Sequence, residues 1–278
     1  ALEDIGPFQN WGRDTMAMVI EALNESEDCH PAVIAVDVLY AGETDPEKDA
    51  WLAEAAGKYR NVVTACAAEF GSEFHIQENG KTSWNDFAVT AFDEPYPELK
   101  AGTAQGHINA MLDADGILRH SLWSVTTPDN TEVPSLAAVT AAKYLAYQSG
   151  TEEQTADLDM VKRYLMEPPT DARGFWYLPF TGLPGDYSKS ISVSDILSVP
   201  ADYFADRIVL IGPYAAGLQD SYPTAIDHAQ PMYGVEYQAN VIEALLQENY
   251  KKEAADSWQY LALFLVTGAF GLWMWKRK

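Results

Sequence analysis

Six polar side chains are expected to converge at the carboxyl ends of the predicted strands, where ligands bind in parallel α/β proteins. They are Asp37, Asn109, Arg119, Asp220, Thr224 and Asn240. Together they can form a polar pocket for an unknown small molecule or ion, with Arg119 offering a planar fork to a carboxylate or phosphate. The alternative is structural, because aspartates also cap helices and tie loops to backbone N–H groups, and Arg119 can pair with one of them. The sequence leaves both interpretations open.

Motifs for several common kinds of catalysis are absent from the sequence. No His-Glu-x-x-His, Cys-x-x-Cys or Gly-x-Ser-x-Gly pattern occurs, so metalloprotease, thiol redox and α/β-hydrolase chemistry have no support. The loop from Gly212 to Asp220 contains two glycines but not the Lys-Ser/Thr of a phosphate-binding loop. The run from Asp113 to Gly116 resembles the start of a calcium loop but lacks its closing Glu, and predicts a turn. We therefore expect no cofactor and no metal site.

The elements that would position these side chains are predicted most clearly at the start of the chain. Ala32 to Tyr40 is a nearly continuous apolar run, typical of a strand covered on both faces. An amphipathic helix is predicted before it, from Arg13 to Asn24. A second helix, capped by Thr44 or Asp45, and a second strand from Asn61 to Ala67 are predicted after it. This order predicts an α/β fold with a mainly parallel central sheet flanked by helices.

The rest of the chain predicts further elements of the same fold. Two strand-like runs, Gly106 to Leu112 and Ile117 to Trp123, flank an Asp-Gly pair and predict an inserted β-hairpin. A helix is predicted from Pro134 to Tyr147 and another from Gly234 to Gln247. Arg207 to Gly212 is the second clear buried strand.

Charge and cysteine usage limit the partners. The formal net charge is −23, and the basic cluster lies at the C-terminus, so we expect no nucleic-acid partner. Cys29 precedes one predicted strand and Cys66 ends the next. If those strands are parallel neighbours, the thiols lie roughly 20 Å apart, so both cysteines are expected to be free.

The apolar run from Trp258 to Trp275 predicts a transmembrane helix. As a helix it spans roughly 27 Å, enough to cross the hydrocarbon core of a bilayer. Aromatic residues stand at its ends, and the basic residues 276–278 follow it, which by the positive-inside tendency places the C-terminus in the cytoplasm and the main domain outside. The alternative is a buried C-terminal helix of a globular domain, which the absence of charge between Asp256 and Lys276 disfavours.

These features give a predicted organisation in five parts. We expect a leader or remnant at 1–12, an extracytoplasmic domain at 13–250, a juxtamembrane linker at 251–257, the transmembrane helix at 258–275 and a cytoplasmic basic stub at 276–278. Because Ala1 is not a start methionine and residues 1–12 contain no apolar signal core, we expect that the sequence begins inside a longer gene product.

Four segments together resemble a known family. They are Ala35 to Tyr40; Gly106 to Asn109 continuing through Asp113 to Arg119; Arg207 to Gly212 continuing through Gly217 to Asp220; and Met232 to Asn240. In this order, and followed by a membrane helix, they resemble the second class of CHASE domains, which are extracytoplasmic sensors of bacterial membrane receptors associated with cyclases and histidine kinases. The chain departs from the family at Gln238, where family members commonly have His.

The resemblance implies a receptor with its sensor outside and a cytoplasmic output enzyme, an adenylate or guanylate cyclase or a kinase. It also implies a homodimer and contact with the lipid bilayer, while this region itself is expected not to be an enzyme. Two other hypotheses remain open: a membrane-anchored hydrolase that uses Asp37 and Asp220, and a structural partner-binding module. Carboxylates within about 10 Å of each other around an open pocket favour the hydrolase. A closed polar core favours the sensor or the structural module.

Overall fold

The structure is a computed structural model that describes residues 6, 11–26, 28–76, 80–151, 153, 156–187, 190–215, 218, 220–251 and 254–277. Most of the predicted leader at 1–12 lies outside the described residues, as does the last residue of the predicted basic stub. Three residues of the predicted loop from Gly212 to Asp220, at positions 216, 217 and 219, also lie outside them.

Helices and short strands alternate along the described chain. The helices are α1 (Arg13–Leu23), α2 (Pro46–Tyr59), α3 (Pro97–Gly102), α4 (Leu136–Gln148), α5 (Leu158–Tyr164), α6 (Gly234–Leu246) and α7 (Asp256–Lys276). The strands are β1 (Val33–Val36), β2 (Val62–Ile76), β3 (Thr82–Asp93), β4 (Ala104–His107), β5 (His120–Leu122), β6 (Ser124–Thr126), β7 (Glu132–Pro134), β8 (Phe175–Tyr177), β9 (Ile208–Ile211), β10 (Ser221–Tyr222) and β11 (Met232–Tyr233). Two 3-10 segments occupy Val193–Ser198 and Ala201–Tyr203.

A parallel sheet forms the centre of the domain. Strand β1 pairs in parallel with β2 on one side and with β9 on the other, and β4 pairs in parallel with β2. All four residues of β1 are buried, which explains why this strand reads as an unbroken apolar run. The predicted α/β fold with a mainly parallel sheet is confirmed.

The sheet separates two apolar cores because successive side chains of a strand point to opposite faces. From β1, Val33 and Ala35 join the core built with α4, α5 and α6. Ile34 and Val36 join the core built with α1 and α2. The side chain that follows, at position 37, stands at the carboxyl end of this central strand.

The predicted start of α2 is confirmed, whereas α4 begins two residues after its predicted start at Pro134. Asp45 accepts hydrogen bonds from the backbone N–H groups of Glu47 (3.1 Å) and Lys48 (3.4 Å), and Pro46 occupies the first turn of α2. Ser135 accepts a hydrogen bond from the N–H of Ala138 (3.2 Å) at the start of α4. These local interactions could be recognised in the sequence because they involve residues only two or three positions apart.

The predicted hairpin between residues 106 and 123 is wrong. The Asp-Gly pair does form a turn, since the N–H of Asp113 donates to the carbonyl of Ile117 (3.0 Å) and Gly116 has φ +79°. Its flanking strands have other partners, however: β4 pairs with β2, and β5 pairs with β8. A turn signal fixes only the local reversal of the chain, whereas strand pairing depends on distant segments.

The long hairpin of the structure is instead formed by β2 and β3. Beyond its parallel part, β2 continues into an antiparallel pairing that runs from Ala67 and Asp93 out to Ile76 and Thr82. The outer part is exposed, with Ile76 at 72% and Trp84 at 63%. The predicted second strand ended at Ala67 because the sequence beyond it is not a continuous apolar run.

Helix α7 is long and apolar enough to cross a membrane by length and composition, and none of the residues in its apolar window is buried against the rest of the chain. It begins at Asp256, two residues before the predicted start. Cys29 and Cys66 are both free, as predicted.

Candidate functional site

Asp37 and Asp220 come together at the carboxyl end of β1. Asp37 follows β1 directly, its N–H donates to the carbonyl of Ile211 (2.7 Å), and only 7% of the residue is exposed. Burial, and to a smaller extent the negative charge of Asp220, together raise the pKa of Asp37 to about 7. The sequence analysis predicted that these two carboxylates converge. In the structure they are close enough for the charge of Asp220 to affect the pKa of Asp37.

Asp220 lies against the first residue of α6. The N–H of Gly234 donates to the backbone carbonyl of Asp220 (3.1 Å), and a Cβ at position 234 would collide with both carboxylate oxygens of Asp220. Tyr222 donates its hydroxyl to the same carboxylate. Burial raises the pKa of Asp220, and the bond from Tyr222 opposes that rise. Gly234 therefore lets a carboxylate lie on the helix N-terminus, where negative charge is favoured.

Tyr237 and Ser121 complete the group. Tyr237 is 2% exposed and donates to the carbonyl of His120 (3.3 Å), while Ser121 forms a side-chain hydrogen bond with the tyrosine oxygen. Burial and the charge of Asp37 raise the pKa of Tyr237. We call Asp37, Ser121, Asp220, Tyr222 and Tyr237 the carboxylate cluster.

Sequence reasoning missed the two tyrosines and the serine of the carboxylate cluster. One signal was available: Tyr222 follows Asp220 by two residues, which places both side chains on one side of an extended chain. Ser121 and Tyr237 reach the cluster from β5 and α6, and their convergence depends on packing between elements that are distant in sequence.

Asn240 and Thr224 have packing and backbone contacts of their own. Asn240 is 1% exposed, and its Oδ1 accepts hydrogen bonds from the N–H groups of Thr181 (3.1 Å) and Gly182 (2.9 Å). Its side chain therefore holds the loop after β8 against α6. Thr224 is fully buried, its backbone pairs with Leu118, and among the described residues its hydroxyl has no hydrogen-bond partner.

Asn109 and Arg119 also have partners of their own. Asn109 bonds both backbone groups of Ala68, accepting from its N–H (2.9 Å) and donating to its carbonyl (2.7 Å). Arg119 donates both arms of its fork to Asp115 (2.8 and 2.7 Å) and one arm also to Asp113 (2.7 Å). The fork expected to recognise a ligand thus closes the turn from Asp113 to Gly116.

Glu236 is a second buried carboxylate that sequence reasoning missed. It is 2% exposed and accepts hydrogen bonds from the N–H groups of Gly185 (2.8 Å) and Tyr233 (3.1 Å) and from the hydroxyl of Tyr214 (3.2 Å). A Glu three residues after the helix N-cap is the second half of a capping box. The contact of Glu236 with the backbone of Tyr233 could therefore have been predicted from the sequence.

The carboxylate cluster can exchange a proton or hold a cation near neutral pH. With a pKa of about 7, Asp37 changes charge where most carboxyl groups are already ionised. No group of three or more His, Cys, Asp or Glu side chains suited to a metal occurs among the residues that the structure describes. Asp37 is only 7% exposed, which by the criterion set out above favours a sensor or structural module over a hydrolase, while Asp220 and Tyr222 are half-buried.

Comparison with known proteins identifies a matching family. A family model described as CHASE2 domain matches residues 3–273, which include every residue of the carboxylate cluster. No significant similarity to a curated protein or to a solved structure was found.

Proposed function

Because this chain belongs to the CHASE2 domain family of extracellular sensor domains, we propose that it senses an external small-molecule or ion signal for a bacterial membrane receptor. The signal acts at the carboxylate cluster, and α7 transmits the response across the membrane to a cytoplasmic output enzyme, an adenylate or guanylate cyclase or a kinase. The domain lies outside the cell, the C-terminus lies in the cytoplasm, and two copies form a homodimer.

The observation that carries this proposal is the pair formed by the buried Asp37 at the end of β1 and the half-buried Asp220 at the N-terminus of α6. A ligand shifts a conformational equilibrium only through different affinities for the two states. The cluster supplies such a difference, because a proton or cation changes the repulsion between Asp37 and Asp220 and the attraction of Asp220 to the helix N-terminus.

A chain of direct contacts supports transmission from the cluster toward α7. Tyr237 donates to the carbonyl of His120 in β5, and His120 is paired with Tyr177 of β8. Tyr177 in turn forms a bridge with Lys251, five residues before α7 begins. These contacts favour a path through the small β5–β8 sheet.

Contacts of Tyr250 also support transmission from β8 toward α7. The hydroxyl of Tyr250 donates to the carbonyl of Met166 (2.8 Å), and its ring lies 5.7 Å from that of the buried Trp176 in β8. The segment before α7 is therefore anchored to β8 at two successive residues, so that a displacement of β8 reaches the membrane segment.

The test follows α7 while the charge of the cluster is changed. Spin labels are attached to cysteines introduced at the exposed positions Glu54 of α2 and Ser257 of α7, in a Cys29→Ser background, with the chain in lipid nanodiscs and diluted with unlabelled chain. Distances are measured at about pH 5.5 and about pH 8.5, on either side of the pKa of Asp37. We expect the distance distribution to shift between the two conditions.

The same measurement in an Asp37→Asn variant is the control. Because the variant side chain does not titrate, we expect most of the shift to disappear. An identical distribution at both pH values in the unaltered protein contradicts the proposal, as does a shift of equal size in the variant.

A further inference from the structure

A cavity of about 460 Å³ lies beside β9, on the far side of this strand from β1. It is bounded by α1, the 3-10 segment Val193–Ser198, β9 and α6, and neither Asp37 nor Asp220 lines it. Its volume falls within the range of sites that bind small molecules. The cavity is therefore a candidate site separate from the carboxylate cluster.

Most of its lining is apolar, and part of it comes from the well-packed helix α1. The apolar lining includes Val19, Leu23, Val193, Ile196, Ile211 and Val235. Val19 and Leu23 are 4% exposed and belong to the core formed around α1 and α2. A mostly apolar molecule entering this space would lose contact with water against a surface already held in place by the fold, which favours binding.

Tyr187 is a residue of the lining whose hydroxyl lacks a hydrogen-bond partner among the described residues. The hydroxyl is buried and lies against Gly182, where a Cβ would approach it to 2.8 Å. Because an unsatisfied buried hydroxyl costs free energy, a ligand group that bonds to it gains affinity.

The backbone of β9 offers further hydrogen-bonding groups. The carbonyls of Arg207 and Ile211 accept bonds from β1, so alternation along a parallel strand directs the backbone groups of Leu210 away from β1. Leu210 lines the cavity. A ligand can therefore use its backbone N–H or carbonyl as well as the hydroxyl of Tyr187.

The charges around the cavity select against anions. Glu236 and Asp186 line it, and none of the described lining residues is Lys, Arg or His. Burial, followed by the charges of Glu243, Glu236 and Asp186, raises the pKa of Tyr187 to about 12, so its hydroxyl stays protonated at neutral pH. The same carboxylates that disfavour a phenolate would disfavour a ligand anion and favour a cation.

We propose that this cavity binds a small, mostly apolar molecule, neutral or cationic, whose single polar group bonds to Tyr187. The ligand would touch α6 at Val235 and Ala239, just after Gly234, where α6 meets the carboxylate cluster. This site goes beyond the proposed signalling function, because occupancy of the cavity does not depend on what α7 does. A failure of binding here and a failure of the spin-label experiment are therefore separate results.

Three matched probes test the ligand class: para-trifluoromethyl benzylamine, the corresponding benzyl alcohol and the corresponding benzoate. Binding is followed by fluorine NMR line broadening, with the full chain in nanodiscs and empty nanodiscs subtracted. We expect the amine and the alcohol to bind saturably, and the benzoate to bind at least about tenfold more weakly. Equal affinity for the benzoate and the amine overturns the proposed charge selectivity.

Three variants locate the binding. Ala239→Phe fills the cavity from α6, and Ala101→Phe makes the same change at an exposed position of α3 outside the cavity. We expect Ala239→Phe to abolish saturable binding and Ala101→Phe to leave it unchanged. Tyr187→Phe removes only the hydroxyl and is expected to weaken the alcohol about fivefold, the usual effect of one hydrogen bond. Binding that is equally strong in Ala239→Phe and Ala101→Phe, or unaffected by Tyr187→Phe, overturns the assignment.

Discussion

Asp37 shows how one buried residue makes the domain sensitive to pH. Its ordinary pKa is 3.8 and its pKa in the fold is about 7, mainly because of burial. Between these two values the folded state keeps a proton that the unfolded state has lost. The free energy of unfolding therefore decreases as pH rises from about 4 to about 7, and stays decreased at higher pH.

Replacing Asp37 with Asn should remove this pH-dependent loss of stability. A shift of about three pKa units corresponds to roughly 4 kcal/mol as an upper limit. We expect Asp37→Asn to match the unaltered protein near pH 4 and to melt at a higher temperature near pH 8, as measured by thermal unfolding across a pH series. Because Asp37 and Asp220 interact, the difference in stability between Asp37→Asn and the unaltered protein reflects the titration of both carboxyl groups together.

The matched control for this prediction is Asp93→Asn. Asp93 is an exposed aspartate at the end of β3. Its replacement should lower or raise the melting temperature by a similar small amount at every pH. If Asp37→Asn behaves in the same way as Asp93→Asn, the buried charge does not control stability.

At the scale of elements, α6 joins the two candidate sites. Its first residue, Gly234, touches Asp220 of the carboxylate cluster, and the next turn contributes Val235, Glu236 and Ala239 to the cavity. The sheet brings the same regions close from the other side, since a Cβ at Gly212 would lie 3.2 Å from the Cβ of Asp37 and 3.0 Å from that of Val235. Movement of α6 would therefore affect both sites.

The contact between Gly234 and Asp220 predicts a specific non-additive effect. Gly234→Ala places a methyl group where the Asp220 carboxylate lies, and Tyr222 holds that carboxylate, so we expect a destabilisation of about 1–3 kcal/mol. In an Asp220→Ala background the obstructing oxygens are absent, and the same substitution should cost at least about 1 kcal/mol less. Thermal unfolding of the four proteins measures this coupling. Equal costs in both backgrounds would mean that the close approach does not constrain α6.

At the scale of the whole molecule, the acidic domain and α7 are distinct in character. The domain carries the two apolar cores on either side of the sheet, while the apolar window of α7 is not buried against it. Exposed over this length, such a helix is expected to lie in a bilayer. The basic residues after it favour a cytoplasmic C-terminus.

Cysteine labelling of intact cells tests this orientation. A membrane-impermeant maleimide should modify Glu54→Cys on α2 and should leave Arg277→Cys unmodified until the cells are lysed, both in a Cys29→Ser background. Cys66 is buried and serves as an internal measure of unfolding. Labelling of Arg277→Cys before lysis, or of Glu54→Cys only after lysis, would contradict the proposed orientation.

The sequence by itself determined the parts of this protein that depend on local patterns. Residues close together in the sequence were enough to predict the apolar run of β1, the cap of α2 at Asp45 and the long apolar stretch of α7. Short sequence segments also carried the resemblance that the family match confirms. Neighbouring residues did not indicate the strand partners or the full length of β2, which is why the hairpin was predicted in the wrong place. Pairing is a choice among distant segments that local signals do not specify.

The tertiary structure alone decided which polar residues belong together. Asp37 and Asp220 were expected to meet, but only packing of β5 and α6 against the sheet adds Ser121 and Tyr237 to them. Packing also gave Arg119 and Asn109 nearby partners, so their chemistry could not be inferred from residue type. Burial is the physical reason, because it raises the pKa of Asp37 and leaves the hydroxyl of Tyr187 without a partner among the described residues. Both effects depend on which parts of the chain exclude water from each group, and only the folded arrangement fixes that.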